Sequence, residues 1–156
     1  MENNQALIHT FYTAFQNKDY RTMQACYADN ATFSDPAFGQ LDAAQVRAMW
    51  QMLLTRSTGL ALTFSDIQAQ GNTGSANWVA EYTFTTTNRK VTNRIHAQFV
   101  FEQGKILQHT DQFNFYTWSK QAFGFTGWLL GWTSFFHQKV QRTAKGSLLS
   151  FMKKLA

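Results

Sequence analysis

Gly104-Lys105-Ile106-Leu107-Gln108-His109-Thr110-Asp111-Gln112-Phe113 is the stretch on which the fold turns. Read as part of a strand from Leu107 to Phe115, it sets Leu107, His109, Asp111, Phe113 and Phe115 on one side. Gln108, Thr110, Gln112, Asn114 and Tyr116 fall on the other. An apolar face interrupted by an imidazole and a carboxylate costs several kcal/mol unless the two groups are paired or hydrogen-bonded (roughly 3–5 when one partner is lost). The pair therefore either has buried partners or lines a wet cavity.

Working back from this strand, the period is two as far as Leu60. Leu60/Leu62/Phe64, Trp78/Ala80/Tyr82/Phe84 and Ile95/Ala97/Phe99/Phe101 predict three more strands, read as antiparallel. Gly71 to Gly74, Thr87 to Lys90 and Gln103 to Lys105 supply the turns. Before Leu60 the period is helical. A helix over 4–17 carries Leu7, Ile8, Phe11, Tyr12 and Phe15, and Asp19 caps a second helix with Met23, Cys26 and Tyr27 that ends at Asp29-Asn30. A strand over Ala31 to Asp35 follows, with Phe33 and Asp35 on one side. Asp42 and Gln45 form a capping box for a helix whose inward stripe is Val46, Met49, Trp50 and Leu53. Helices preceding a sheet that is apolar on one face imply an α+β fold with the helices over that face.

The chain has 156 residues, 44% hydrophobic and 16% aromatic, enough for one domain with a substantial core. Cys26 is the only cysteine, which excludes an internal disulfide and a cysteine zinc cluster. The start, Met1 to Gln5, has no signal-like pattern, so the expected location is cytoplasmic. Up to Asp111 there are eight Lys/Arg against nine Asp/Glu; beyond it come Lys120, Lys139, Arg142, Lys145, Lys153 and Lys154 and no acid. Without a groove-reading motif that tail does not indicate nucleic acid. Phe123 to Phe136 is apolar but too short and mixed to span a bilayer, and Phe136, Val140, Ala144, Leu148, Phe151 and Leu155 predict an amphipathic basic C-terminal helix.

The strand quoted above is similar to the "G-K-I-x-x-H-x-D-x-F" strand of the SnoaL-like branch of the nuclear transport factor 2-like superfamily. Trp118 to Gly124 and the helix–helix–strand–helix order before it extend the likeness over residues 4 to about 124. The resemblance implies a cone of curved antiparallel sheet covered by the N-terminal helices and enclosing a pocket, usually dimeric. Residues 1–124 would form the cone, and 125–156 a helical extension of the same domain. Relatives include ketosteroid isomerases, polyketide cyclases and limonene epoxide hydrolases. Ala31 to Pro36 is similar to the isomerase segment whose Asp is the general base, and Tyr12 falls one residue from the spacing of its oxyanion-binding Tyr. The segment matching that enzyme's second acid reads Ile95-His96-Ala97, with no carboxylate.

The function expected is binding of a small apolar molecule, with cofactor-independent acid/base catalysis of isomerase, cyclase or hydrolase type. Asp111 would be acid or base, His109 its partner, Asp35 a second acid/base and Tyr12 a donor to oxygen charge. Phe15, Phe33, Trp50, Trp78, Tyr82, Phe99, Phe113 and Trp118 would wall the pocket. No cofactor and no metal are expected, and the partner is a second copy of the chain. Two further readings are a pocket that binds without turnover and a module whose apolar, basic tail docks a protein or an anionic membrane surface, the latter not favoured.

Overall fold

The capping box closes as expected: Asp42 Oδ1 accepts from Gln45 N–H at 2.8 Å, and Gln45 Oε1 accepts from Asp42 N–H at 2.9 Å. It starts the helix that covers the sheet. The computed structural model describes residues 2–156. The order is α1 (Glu2–Gln16), α2 (Tyr20–Ala25), β1 (Tyr27–Asp35), β2 (Gly39–Asp42), α3 (Ala43–Arg56), β3 (Thr58–Gln70), β4 (Thr73–Phe84), β5 (Arg89–Glu102), β6 (Lys105–Gln112), α4 (Phe115–Phe123), α5 (Phe125–Leu130) and α6 (Ser134–Leu155).

One six-stranded sheet runs β2-β1-β6-β5-β4-β3, so it is curved but not closed. The sheet is mixed, which corrects the all-antiparallel expectation: β3 to β6 form an antiparallel meander, and β1 pairs with β6 in parallel, Phe33 beside His109 and Ser34 beside Thr110. The long connection through β2 and α3 carries the chain to the far edge before the meander begins. Such a crossover is what parallel pairing requires. Register shifts at Tyr27/Thr32, Ser65/Gln68 and Val100/Phe101 mark bulges, which bend and twist a sheet into a cone.

Those bulges also explain where strict alternation misleads. Phe101 pairs with Ile106 and Val100 with Gln108, so Leu107 is the extra residue. Ile106 is fully buried and Leu107 only half-buried. Asn114 accepts from Thr117 N–H and caps α4, so the strand stops at Gln112, and Phe115 and Tyr116 are helical. Tyr27 belongs to β1, not to the second helix, and the short strand β2 lies between Pro36 and α3. In α3 the inward position is Leu54, while Leu53 faces out.

Beyond the cone, α6 packs along α3, where the Arg56 guanidinium lies 5.1 Å from the centre of the Phe151 ring. It is fastened to the turn after β1: His137 Nε2 and Gln141 Nε2 both reach Pro36 O, at 2.6 and 3.1 Å. α5 lies flush on α4 through two glycines. A Cβ on Gly127 would fall 1.9 Å from Ser119 O, and one on Gly131 2.8 Å from Ser119 Cβ. The α4–α5 packing therefore requires the absence of side chains there. Gly127→Ala should push α5 off α4 and cost about 1–3 kcal/mol, the range for overpacking. Urea unfolding of the variant checks this, and an unchanged midpoint would contradict the packing.

Candidate active site

β6 carries His109 and Asp111 on its concave side, as the sequence indicates, with exposures of 1% and 3%. His109 is held between the neighbouring strands, its ring centre 4.5 Å from that of Phe99 on β5 and 5.0 Å from that of Phe33 on β1. From the helices, Phe11 meets it edge-on at 5.7 Å and Trp50 stacks at 6.4 Å. Such a cage would be hostile to a polar ring without partners. Both ring nitrogens have one: Nδ1 lies 2.7 Å from the Tyr27 hydroxyl, and Nε2 lies 2.9 Å from Asp111 Oδ1.

The chemistry of the donors fixes the direction of this chain. Trp50 Nε1 can only donate, and it donates to Tyr27 Oη at 2.9 Å. The single Tyr27 hydrogen then goes to His109 Nδ1, which must be the unprotonated nitrogen. His109 Nε2–H donates to Asp111. Each of the four groups has a partner in this arrangement. Burial pushes the Tyr27 hydroxyl well above its usual range, so it stays a donor at neutral pH.

Asp35 comes to the same place from β1. One register step beyond Ser34–Thr110 sets it alongside Asp111. Its Oδ1 accepts from Ala37 and Phe38 N–H at 3.0 and 2.6 Å, the turn role that Ser-Asp-Pro suggests. Among the described residues Oδ2 has no hydrogen-bond partner. Asp35 is half-buried, and desolvation, opposed by the Phe38 bond and reinforced by the Asp111 charge, pushes its carboxyl up to about 7.

The aromatic residues named from sequence fall into two groups. Tyr12, Phe15, Phe33, Trp50, Trp78 and Phe99 are buried and pack ring on ring at the narrow end, as in Phe15 with Trp50 at 5.0 Å and with Trp78 at 5.2 Å. That end is filled by protein. Tyr82 and Phe113 are half-buried and bridge the main core to a second cluster that contains Trp118, Val91 and Ala122. Trp118 Nε1 donates to the Tyr82 hydroxyl at 2.9 Å, leaving the tyrosine's own hydrogen without an acceptor among the described residues. Burial raises the Tyr82 pKa, and the nearby Asp35 charge adds to it. Two surface hollows of about 250 and 530 Å³ lie elsewhere, beside α1–α2 and at the turn end of the β3–β5 sheet.

Tyr12 is in the deep group, stacked on Phe64 at 5.5 Å, and its hydroxyl is buried without a partner, as is Trp78 Nε1. Burial first, and the Asp111 charge second, hold the Tyr12 hydroxyl in its protonated form. Sequence reasoning missed Tyr27, although Tyr27, Ala31, Phe33 and Asp35 keep the odd-numbered rhythm of β1. The turn-forming Asp29-Asn30 obscured it, because both sit in the bulge.

An α+β cone with a hydrogen-bonded His–Asp pair on its floor defines the class of protein. The model of the SnoaL-like domain matches residues 8–109, and the chain belongs to that family. Comparison with curated proteins gave no significant match. Among solved structures, an LEH-like epoxide hydrolase of M. tuberculosis is similar at 19% identity and a TM-score of 0.65, over 84% of this chain and 92% of that one. A proposed polyketide cyclase of Xanthomonas campestris pv. campestris has 20% identity and a TM-score of 0.66, over 78% and 97%. A protein of Catenulispora acidiphila with a ketosteroid isomerase-like fold, bound to trimethylamine, has 11% identity and a TM-score of 0.65, over 74% and 91%. At these identities the likeness establishes the fold.

Two substitutions separate the tyrosines. Tyr27→Phe strands the Trp50 donor and the His109 acceptor in the core and should cost about 2–4 kcal/mol. Tyr12→Phe removes a hydroxyl that bonds to nothing and should be neutral or stabilising by about 1 kcal/mol. Chemical denaturation of both variants checks the contrast, and equal losses would refute the proton placement. Asp35 adds a pH dependence. Between about pH 4 and 7 the folded chain keeps a proton that the unfolded chain has released, so stability falls as pH rises through that window. A rise from 3.8 to about 7 corresponds to about 4 kcal/mol, reduced to about 2 by the partial solvent access of the carboxyl. Asp35→Asn should remove that slope in urea titrations from acid to mildly alkaline pH.

Proposed function

We propose that the protein is a cofactor-independent acid/base catalyst acting on a small apolar molecule that carries an oxygen acceptor, bound at the wide end of the cone. The observation that carries this reading is the Asp35 carboxyl: half-buried, pinned by one oxygen, free at the other and balanced between its two forms near neutrality. A group with those properties can take a proton from the carbon next to a carbonyl, or from water, and return it elsewhere. Tyr82 supplies a hydroxyl donor for the oxygen on which charge develops, and its bond from Trp118 fixes its direction. Phe113 and Trp118 would hold the apolar body of the ligand.

In this reading Asp111 and His109 act one layer deeper. The Asp111 charge helps keep Asp35 protonated, and the Tyr27–His109 chain holds Asp111 in place. Tyr12 and Trp78 offer two unpaired donors beneath, which a ligand oxygen could satisfy if the rings part. Isomerisation, cyclisation and hydrolysis all begin with such a proton transfer. A homodimer in the cytoplasm is part of the same proposal. Binding without turnover is the second reading, favoured by the filled narrow end of the cone, which leaves little room to surround a reacting molecule.

Deuterium incorporation at the α-carbon of small apolar ketones and lactones, followed by NMR in heavy water, tests the catalytic reading. Wild-type exchange should rise with a pH profile that breaks near 7, and Asp35→Asn should lower it about 10²–10⁴-fold. Asp111→Asn should move the break to lower pH, because a negative neighbour is lost. If both variants bound and exchanged as the wild type does, acid/base catalysis at this site would be abandoned. Saturable binding of such compounds without exchange would favour the second reading.

A further inference from the structure

After Asp111 the chain contains six basic residues and no acid, and from Phe115 onward it forms α4, α5 and α6. Gly127 and Gly131 turn the small face of α5 toward α4, so its large side chains point away from the protein. Phe125, Trp128, Trp132 and Phe135 are 73, 56, 72 and 68% exposed, with Leu129 and Leu130 also exposed. Isolated apolar residues on a surface are ordinary; six within eleven positions are not. The stripe continues along α6. At about 100° per residue, Phe135, Lys139, Arg142, Gly146, Leu149 and Lys153 lie within one narrow arc, and all six are exposed.

We infer that this face binds the surface of an anionic lipid bilayer, α5 entering the headgroup layer and α6 lying along it. Charge complementarity selects this occupant. Exposed basic side chains with no acid among them suit a negative surface, and tryptophans and phenylalanines are the side chains that favour the boundary between headgroups and acyl chains. The carbonyls at the end of α5 are already satisfied. Trp128 O accepts from the Tyr116 hydroxyl at 2.8 Å, Leu129 O from Trp132 Nε1 at 3.0 Å, and Leu130 O from the Thr133 hydroxyl at 2.6 Å. The knob can therefore leave water without stranding these groups. A second copy fits less well. A two-fold contact sets the same patch against itself, and here it would bring lysines and arginine against one another with no carboxylate to relieve them. Insertion is peripheral, since among the described residues no helix is long and apolar enough to cross a membrane.

Cosedimentation with vesicles of phosphatidylcholine alone, or with one-third phosphatidylglycerol, tests the inference. The full chain should partition at least tenfold more strongly onto the anionic vesicles, and a tenfold rise in salt should remove most of that preference as the screening length shortens. Each basic residue near such a surface contributes about a fivefold factor. Lys139→Glu with Arg142→Glu should therefore abolish the preference, and Trp128→Ser with Trp132→Ser should reduce binding at least tenfold. Circular dichroism checks that the variants are folded; Lys139 and Arg142 are exposed, so that pair decides the matter if the tryptophan pair does not fold. Absence of binding, equal binding to neutral vesicles, or binding unaffected by the charge reversal would overturn the inference. So would conversion of a dimer to a monomer by the tryptophan pair without any vesicle binding by the wild type.

Discussion

A hydrogen-bonded chain from Trp50 through Tyr27 and His109 to Asp111 joins α3, β1 and β6 at the centre of the molecule. The His109 ring is caged by Phe11, Phe33, Trp50 and Phe99, so its polar atoms can exist there only because their neighbours complete them. Buried networks of this kind are stable when every member is satisfied and costly when one is missing. The constraint reaches outward. It fixes which ring nitrogen of His109 carries the proton, leaves Asp111 as an acceptor, and sets a negative charge beside Asp35. Through Phe38 and Ala37 the same carboxyl is tied to the turn that α6 fastens through Pro36.

The helix α6 thus has two distinct sides. Its inner side, with Phe136, His137, Gln141 and Leu148, holds the β1 turn and the outer side of α3. Its outer side carries charge and apolar groups that the core does not use. Nothing about the cone itself needs the second side, which is why its composition is informative about contacts beyond the chain.

Much of this was legible in the sequence because the period-two pattern of β3 to β6 and the cap at Asp42 are local signals. His109 and Asp111 were visible as polar interruptions of an apolar face. The parallel neighbour of β6 was not, since no local pattern records which strand lies beside which. The bulge at Leu107 was hidden for a related reason: one extra residue leaves Leu and Ile both plausible as the inward position. Tyr27 was obscured by the polar Asp29-Asn30, and its role depends on Trp50, twenty-three positions later. The unusual state of Asp35 is likewise a property of its surroundings, for the Ser-Asp-Pro sequence says only that a turn follows.

The parallel pairing of β1 with β6 has a consequence for how the molecule assembles. β3 to β6 are joined by short turns and can pair with their sequence neighbours early, whereas Phe33 meets His109 only after a loop of some seventy-five residues has closed. Contacts of such separation pay their chain-entropy cost before they return anything, and they slow folding. Asp35 and Asp111 therefore lie on parts of the chain that meet only through the closure that pairs β1 with β6. The same long-range closure thus brings together two carboxylates that act on each other in the folded chain.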